Sequence, residues 1–234
     1  FGLVALAPGL VPQPFALRAI VEKSDGDGRR MEGLAPSEGL LHGTMPDLVT
    51  IRENGIDYLL DTEAQKTGFY ADQRDNRRRV AAYAADKRVL DVCCYTGGFA
   101  ASTAKAGAAS IDLLDSSEAA LELARKNVGA TAPGTALSSD CGDAFQTLRR
   151  YRQEGRTWDL IILDPPKLAP SRQSVERAAA GYKDLNLQAM HLLPPGGLLA
   201  SFSCSGLVSA EDLRLWIAFA AKDAGRRASI VEFL

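Results

Sequence analysis

Residues 88–99 read RVLDVCCYTGGF, and this stretch decides the fold that the rest of the sequence predicts. It opens with an apolar run, Arg88 to Val92, that is typical of a buried strand. Two adjacent glycines follow, and then an alanine-rich segment runs through Ala106. A strand, a glycine-bearing turn and a helix in this order are the first unit of a parallel sheet covered by helices, so we expect an α/β protein.

The same alternation of apolar runs and helical periodicity continues to the end of the chain. Further strands are predicted at Ile111–Asp115, Ala136–Ser139 and Trp158–Leu163, in LLASFS ending near Ser203, and in a sixth segment, ASIVEF. Helices are predicted over Ser117–Asn127, from Asp143, from about Ser174 to Leu193, and over Ser209–Ala224. This order predicts a Rossmann-like, mostly parallel, doubly wound sheet.

The part of the chain before Lys87 has a different pattern. LVTIRENGIDYLLD, Leu48 to Asp61, consists of two alternating segments around Asn54-Gly55, the dipeptide that favours a tight hairpin. The chain then turns helical near Asp72. We therefore predict a small β-rich region over residues 1–75 and a main domain over residues 76–234. The start at Phe1 and the short end after ASIVEF suggest that both are parts of a longer protein.

Composition excludes several classes of protein. The 234 residues are 46% hydrophobic and 24% charged, a balance typical of a globular protein with a core. No apolar run approaches the roughly 20 residues that span a bilayer, so we predict a cytoplasmic protein with no membrane partner. The formal charge of −2 gives no overall positive field, and nucleic acid would have to bind to local basic patches. Four cysteines and two histidines, His42 and His191, form no set with metal-ligand spacing, so no metal is predicted.

The first turn of the sheet is the predicted cofactor site. In open parallel sheets, ligands bind beyond the carboxyl ends of the strands, where Gly97 and Gly98 would let a ligand approach the backbone and a helix N-terminus. Asp115 ends the second strand close to the interval of roughly 20 residues at which a carboxylate binds ribose hydroxyls. Asp143, after the third strand, could reach an adenine amino group. Asp115 could instead cap the following helix, and these residues leave a dinucleotide and S-adenosylmethionine both open, whereas a Walker-type phosphate loop is absent.

A second site is predicted where the fourth and fifth strands end. Asp164-Pro165-Pro166-Lys167 follows the fourth strand, and its prolines stiffen the turn that presents the Asp164 carboxylate. Cys204 follows the fifth strand, where a thiol can be exposed and activated, although a small residue packed beneath a loop is the simpler interpretation. Basic side chains border this edge, while arginine clusters elsewhere are more often solvated faces. The basic candidates are Lys167, Arg172, Arg177 and Lys183, and the arginine clusters lie at Arg74–Arg79 and Arg149–Arg156.

Five motifs in sequence order now identify a family resemblance. They are QKTGFYADQRDNR (Gln65–Arg77), VLDVCCYTGGFA (Val89–Ala100), LDPPK (Leu163–Lys167), GYKDLN (Gly181–Asn186) and FSCSG (Phe202–Gly206). From about Leu48 onward the chain resembles the bacterial class I S-adenosylmethionine-dependent methyltransferases that make 5-methylcytosine in large-subunit ribosomal RNA. Family members usually carry an N-terminal PUA RNA-binding domain, which this chain lacks, and further strands after the point where it ends. The family turn is closer to FSYTGG, so Cys93 and Cys94 depart from its pattern.

The resemblance implies a role for each candidate residue. The cofactor, S-adenosylmethionine, would have its methionine part held by Asp91 and the turn Tyr95, Thr96, Gly97, Gly98 and Phe99, its ribose by Asp115 with Ser116, and its adenine by Asp143 with Phe145. Thr67, Gly68 and Phe69 would close over the cofactor. Cys204 would add to carbon 6 of the cytosine ring, and Asp164 would bind the ring-nitrogen and amino edge. Pro165, Pro166, Lys167, Arg172 and Lys183 would hold the ribosomal RNA, and a homodimer is possible.

Three other functions compete with this one. Related RNA methyltransferases that act on guanine nitrogen share the YTG turn and the DPP motif, but nitrogen methylation needs no thiol, so Cys204 favours cytosine. A non-catalytic RNA-binding module would not need Asp91, Asp115, Asp164 and Cys204 together. A nicotinamide dehydrogenase fits the fold alone, and the absence of GxGxxG argues against it.

Overall fold

The computed structural model describes residues 19–24, 29, 32–35, 37–61, 68–169 and 171–233. The strands are β1 (Ala19–Ser24), β2 (Ser37–Gly43), β3 (Leu48–Glu53), β4 (Ile56–Asp61), β5 (Arg88–Val92), β6 (Ser110–Asp115), β7 (Ala136–Cys141), β8 (Leu160–Leu163) and β9 (Leu198–Ser201). The α-helices are α1 (Arg74–Ala81), α2 (Gly98–Lys105), α3 (Glu118–Thr131), α4 (Ala144–Gln153), α5 (Val175–Leu192) and α6 (Ala210–Asp223). Short 3₁₀ turns lie at Ala71–Gln73 and Arg172–Ser174.

The main sheet has five parallel strands in the order β7-β6-β5-β8-β9 within the described residues. The chain moves outward from β5 through β6 to β7, then returns to the other side of β5 with β8. The carboxyl ends of β5 and β8 therefore flank the point where strand order reverses, which is where such sheets bind ligands. This topology confirms the predicted Rossmann-like, doubly wound fold.

Helices cover the sheet on both faces because its strands are apolar on both faces. Leu90 and Val92 of β5 pack into a core cluster with residues of α4 and α5, including Tyr151 and Leu185. Side chains alternate along a strand, so Asp91 points to the opposite face, where α2 and α3 contact β5 and β6. The sheet is thus the buried centre of a three-layer domain.

The chain divides into two compact units. One comprises Phe1–Val49 with Leu60–Phe69, and the other comprises Thr50–Leu59 with Tyr70–Leu234. The first unit contains the antiparallel pair of β1 and β2. The second contains the whole parallel sheet and the tip of the β3–β4 hairpin.

The predicted hairpin is confirmed, and its turn explains its position. Asn54 and Gly55 both adopt positive φ, 50° and 72°, which is the conformation of the two-residue turn that matches the twist of antiparallel strands. Lys105 of α2 donates hydrogen bonds to the carbonyl oxygens of both turn residues, at 3.0 and 2.9 Å. The hairpin tip is therefore hydrogen-bonded to α2.

Two parts of the sequence prediction need correction. The predicted sixth strand, ASIVEF, is wrong, since residues 224–233 form neither strand nor helix. An alternating apolar pattern becomes a strand only where a neighbouring strand accepts its hydrogen bonds, and here Glu232 instead bonds through its side chain to Arg79 and Tyr83. The pair of β1 and β2 was not assigned from the sequence. No described helix is both long and apolar enough to cross a membrane.

Candidate active site

The turn between β5 and α2 has an unusual backbone. Cys93, Tyr95 and Gly97 all adopt positive φ, at 61°, 48° and 77°. Non-glycine residues in this region are uncommon and concentrate at functional sites. A Cβ on Gly97 would lie 2.9 Å from the Cβ of Ala124 in α3, so only glycine fits this close approach. The turn is thus a coiled backbone packed tightly on α3.

Asp91 is a fully buried carboxyl beneath this turn. One oxygen, Oδ2, accepts a hydrogen bond from the Ala100 N–H at 2.9 Å. The other, Oδ1, is buried and has no hydrogen-bond partner among the described residues. Burial, with the nearby Asp164 carboxylate as the next cause, raises the pKa of Asp91 to about 8. A buried acceptor with an unmet hydrogen bond fits a cationic donor, such as the α-ammonium group of an amino-acid moiety.

Asp115 links the turn to the start of α3. Its Oδ2 accepts from the Tyr95 N–H at 2.8 Å, and its Oδ1 accepts from the Ser117 N–H at 3.0 Å. The side chain that caps α3 is that of Ser117, which accepts from the Ala120 N–H. Asp115 is half-buried at the carboxyl end of β6, and Ser116 beside it is exposed. The carboxylate therefore has a structural task in shaping the turn and also lies at the edge where a ligand would bind.

Asp143 and Phe145 lie where β7 leads into α4. Asp143 caps α4 by accepting from the Gln146 N–H at 3.0 Å, as its position predicted. The Phe145 ring lies beside Gly181 of α5, where a Cβ would approach its Cζ to 3.6 Å. Because Gly181 has no side chain, the Phe145 ring fits beside α5, next to the end of β7.

Asp164 follows β8 and is oriented by a residue that sequence reasoning missed. Its Oδ1 accepts a hydrogen bond from Gln73 Nε2 at 3.2 Å, and Gln73 Oε1 in turn accepts from Asn76 Nδ2 at 2.6 Å. Burial, then the nearby Asp72, raises the pKa of Asp164 to about 6. Gln73 belongs to the quoted QKTGFYADQRDNR motif, so a signal was present, but the contact itself joins residues distant in sequence.

Cys204 lies beside the Asp164-Pro165 turn. Its Sγ donates to the Pro165 carbonyl oxygen at 3.7 Å, and the residue is exposed. The Cys204 thiol therefore lies beside the backbone of the residue that follows Asp164, the other side chain that the sequence proposed as a reacting group. The exposure of the residue argues against the simpler interpretation, a small residue packed beneath a loop.

The remaining cysteines differ from Cys204. Burial, followed by the charge of Asp115 for Cys93 and of Asp91 for Cys94, raises the pKa of both thiols. A raised pKa keeps a thiol protonated and weakly nucleophilic. Cys141 is exposed at the end of β7, and its Sγ lies 3.5 Å from the Ser116 carbonyl oxygen.

The basic candidates separate into exposed and paired groups. Lys167 and Arg172 are exposed in the segment after Asp164, where Pro165 is buried and Pro166 exposed. Lys183 forms an ion pair with Asp223 of α6 at 2.6 Å, so its described contact is with a neighbouring helix. The two other arginine clusters are largely engaged with acidic partners, as the pairs Arg77–Glu53, Arg79–Glu232, Arg149–Asp184, Arg150–Asp140 and Arg156–Asp112 show.

The residues predicted to close over the cofactor, Thr67, Gly68 and Phe69, are described only in part. Thr67 lies outside the described residues. Gly68 and Phe69 are buried in the first compact unit. Within the described part of the chain, no group of three or more His, Cys, Asp or Glu side chains is arranged to hold a metal ion.

The fold and the buried acids together define a class of protein. A doubly wound parallel sheet with carboxylates at the ends of its first two strands is a Rossmann-like domain that binds a nucleoside-containing cofactor. Residues 36–225 match the family described as S-adenosylmethionine-dependent methyltransferase, and the chain belongs to that family. Its cofactor is S-adenosylmethionine, whose α-ammonium group fits the unmet acceptor on Asp91.

Known proteins similar to this chain agree with that family. A protein of Shewanella denitrificans named "Ribosomal RNA large subunit methyltransferase I" is 48% identical over 217 residues, which cover 92% of this chain and 55% of the relative. One of the same name from Alteromonas mediterranea is 44% identical over 214 residues, covering 91% and 54%. The crystal structure of SMU.776 complexed with SAH matches with a TM-score of 0.70 and 26% identity over 78% of this chain and 49% of that one. The chain spans about half the length of the curated relatives that it matches.

Proposed function

We propose that this protein methylates carbon 5 of a cytosine in large-subunit ribosomal RNA, through a covalent bond between Cys204 and the base. The observation that carries the proposal is the position of the exposed Cys204, whose Sγ lies 3.7 Å from the carbonyl oxygen of Pro165, the residue that follows Asp164. The names of the relatives support ribosomal RNA as the substrate, although those names do not specify the base.

The residues proposed to bind the cofactor lie at the ends of β5, β6 and β7. Asp91 Oδ1 would accept from the ammonium group of S-adenosylmethionine, and the backbone of the 95–99 turn would hold its methionine part. Asp115 with Ser116 would bind the ribose hydroxyls, and Asp143 with Phe145 would bind the adenine. The proposed contacts of Thr67, Gly68 and Phe69 rest on family resemblance. The bound cofactor supplies an electrophilic methyl group on a sulfonium.

The thiol is needed because carbon 5 of cytosine is a weak nucleophile. Addition of the Cys204 thiolate to carbon 6 forms a carbon–sulfur bond and makes carbon 5 enamine-like. Carbon 5 then forms a bond to the methyl group while the bond between that methyl group and the cofactor sulfur breaks and leaves a neutral thioether. A base removes the carbon 5 proton while the bond between carbon 6 and the Cys204 sulfur breaks and returns the thiolate. By the family resemblance, Lys167 would occupy the position at which other RNA 5-methylcytosine enzymes have a second cysteine, and we therefore propose a single-cysteine route.

Asp164 holds the opposite edge of the base. Because its pKa is raised to about 6, its carboxyl carries a proton more readily than an ordinary aspartate. It can donate that proton to the ring nitrogen as negative charge develops in the adduct. Gln73 bonds to Oδ1 and leaves Oδ2 to face the base.

The RNA must present its target base outside the stack. Enzymes that modify a base extrude it into a pocket, and flanking phosphates are held by basic side chains. The exposed Lys167 and Arg172, next to the buried Pro165 and the exposed Pro166, are suited to this task, and Lys183 would have to exchange its Asp223 pair for RNA. A cytoplasmic location and a homodimer stay predictions.

The deciding experiment uses nucleoside mass spectrometry. Unmodified large-subunit ribosomal RNA is incubated with methyl-labelled S-adenosylmethionine and wild-type protein, Cys204→Ala or Cys141→Ala. Cys141→Ala is the matched control because it removes the other exposed thiol at this edge. We expect labelled 5-methylcytidine from wild type and Cys141→Ala, and none from Cys204→Ala.

Two results would contradict the proposal. Labelled methylguanosine from wild type and Cys204→Ala alike would show nitrogen methylation without a thiol. No labelled nucleoside from a protein that binds the cofactor would show that this RNA is not the substrate.

A further inference from the structure

Tyr182 of α5 is fully buried, and its hydroxyl meets both neighbours of Cys204. The oxygen lies 2.8 Å from Ser203 Oγ and 3.4 Å from Ser205 Oγ. Cys204 itself sits between these serines in the loop after β9. One phenol hydroxyl thus contacts the loop on both sides of the exposed thiol.

Ser205 extends this network to the segment that follows Asp164 and Pro165. The Ser205 N–H donates to Ser203 Oγ at 3.3 Å, which is a hydrogen bond within the loop that contains Cys204. Ser205 Oγ accepts from the Ala169 N–H at 3.2 Å, and Ala169 is fully buried in the segment after Pro165. The Cys204 loop is therefore joined, through the serine next to the thiol, to the segment that follows the Asp164-Pro165 turn.

Packing fixes the phenol ring that makes these contacts. The Tyr182 ring stacks on Trp216 of α6, with centroids 5.8 Å apart and planes 18° apart. Ala169 and Ala178 complete a buried apolar cluster around it. A phenylalanine would fill the same volume, so packing alone does not need the hydroxyl.

We infer that Tyr182 is a positioning residue, whose hydroxyl holds the loop so that the Cys204 thiol stays over the Pro165 carbonyl, facing the base. The inference rests on the proposed role of Cys204 as nucleophile. A thiol that must attack one carbon of a bound base loses rate when its loop moves, because the reacting atoms are aligned less often. A small soluble reagent has no such requirement and reaches a more mobile thiol more easily.

The test compares two buried tyrosines that each lose one hydroxyl. Tyr182→Phe removes the contacts with Ser203 and Ser205, and Tyr151→Phe is the matched control because its hydroxyl bonds to Asp140, away from the Cys204 loop. In Tyr182→Phe we expect kcat for methyl transfer to fall about tenfold, with KM and cofactor affinity within about twofold of wild type. Alkylation of Cys204 by iodoacetamide, followed by peptide mass spectrometry, should become about two- to tenfold faster. Tyr151→Phe should match wild type in both measurements.

A double-mutant cycle sharpens this result. Ser203→Ala should reproduce most of the effect on Cys204 alkylation, and adding Tyr182→Phe should change it little further, because both variants break the same hydrogen bond. Additive effects would overturn the inference, as would wild-type kcat and alkylation rate in Tyr182→Phe. Parallel losses of activity and melting temperature in both tyrosine variants would also overturn it, since they would show a general packing role.

The alkylation measurement needs neither RNA nor cofactor. If Cys204→Ala keeps full methyl transfer, the proposed nucleophile fails, while the alkylation rates still report whether Tyr182 holds the loop. If Cys204→Ala is inactive and the alkylation rates do not change, the proposed function stands and the role of Tyr182 fails.

Discussion

The turn after β5 and the loop after β9 lie at the same edge of the sheet, yet they are built from different groups. The first is shaped by backbone in left-handed conformation and by two carboxylates that accept main-chain hydrogen bonds. The second presents the exposed Cys204 between two serines whose hydroxyls both contact the Tyr182 hydroxyl. A turn shaped mainly by its backbone tolerates changes in its own side chains, so the side chains of Cys93 and Cys94 are free to vary. A site whose chemistry depends on one thiol does not tolerate the replacement of that side chain.

After Cys204→Ala, Asp164→Asn should have the largest effect on methyl transfer. The amide keeps the size of the carboxyl but cannot deliver a proton, so methyl transfer should fall about 10²- to 10⁴-fold. Cofactor affinity should stay unchanged. Single-turnover methylation and calorimetric titration measure the two quantities, and activity within about threefold of wild type would remove Asp164 from the chemistry.

Asp91→Asn should have two opposite effects, weaker cofactor binding and a higher melting temperature of the cofactor-free protein at pH 8. Loss of a charge-assisted hydrogen bond should weaken cofactor binding by about 10- to 100-fold. Because the folded-state pKa of Asp91 is raised from 3.8 to about 8, the folded protein binds this proton more tightly than the unfolded chain, and stability falls as pH rises through that range. The cofactor-free variant should therefore melt higher than wild type at pH 8 and nearly equally at pH 4. Melting curves at both pH values check this, and an equal difference at both would contradict the assigned pKa.

Asp115→Ala should weaken cofactor binding by about tenfold, since the ribose contact and the support of the Tyr95 N–H are both lost. The matched control is Asp159→Ala, which removes a carboxylate that accepts from the Arg88 N–H at 2.9 Å, at the amino end of the sheet. Calorimetric titration should show a loss in the first variant alone. Equal affinities in both variants would place the ribose elsewhere.

Cys93→Ala should have the smallest effect. The Cys93 thiol has a raised pKa and no role in the proposed chemistry, so cofactor affinity and methyl transfer should stay within about twofold of wild type. A loss as large as that of Asp115→Ala would show that this side chain, and not only its backbone, shapes the turn.

The sequence predicted most of the second unit because its signals are local. The helix predicted over Ser117–Asn127 extends to Thr131, and the strand predicted from Ala136 extends through Cys141, so element type was correct and the boundaries shifted by a few residues. The sixth strand failed because pairing with a neighbour is not a local property. The division at residues 75 and 76 and the roles of the individual site residues stay predictions.

The charged residues show most clearly that contacts between distant segments are not predictable from local sequence. Arg77 occurs in an arginine run that usually indicates a solvated surface, yet its side chain is only 3% exposed and forms an ion pair with Glu53 at 2.7 Å. Burial of a charge requires a partner, and that partner comes from the hairpin. Sequence alone could not identify it.

By itself, the sequence determined the alternation of strands and helices, the glycine turn after β5 and the acids and thiol that end the strands, because periodicity and turn chemistry act between near neighbours in the chain. Only the tertiary structure decided that Gln73 meets Asp164, that Asp91 keeps an unmet buried acceptor and that Tyr182 holds the serines beside Cys204. Those contacts depend on how distant segments pack, and packing is a property of the whole fold.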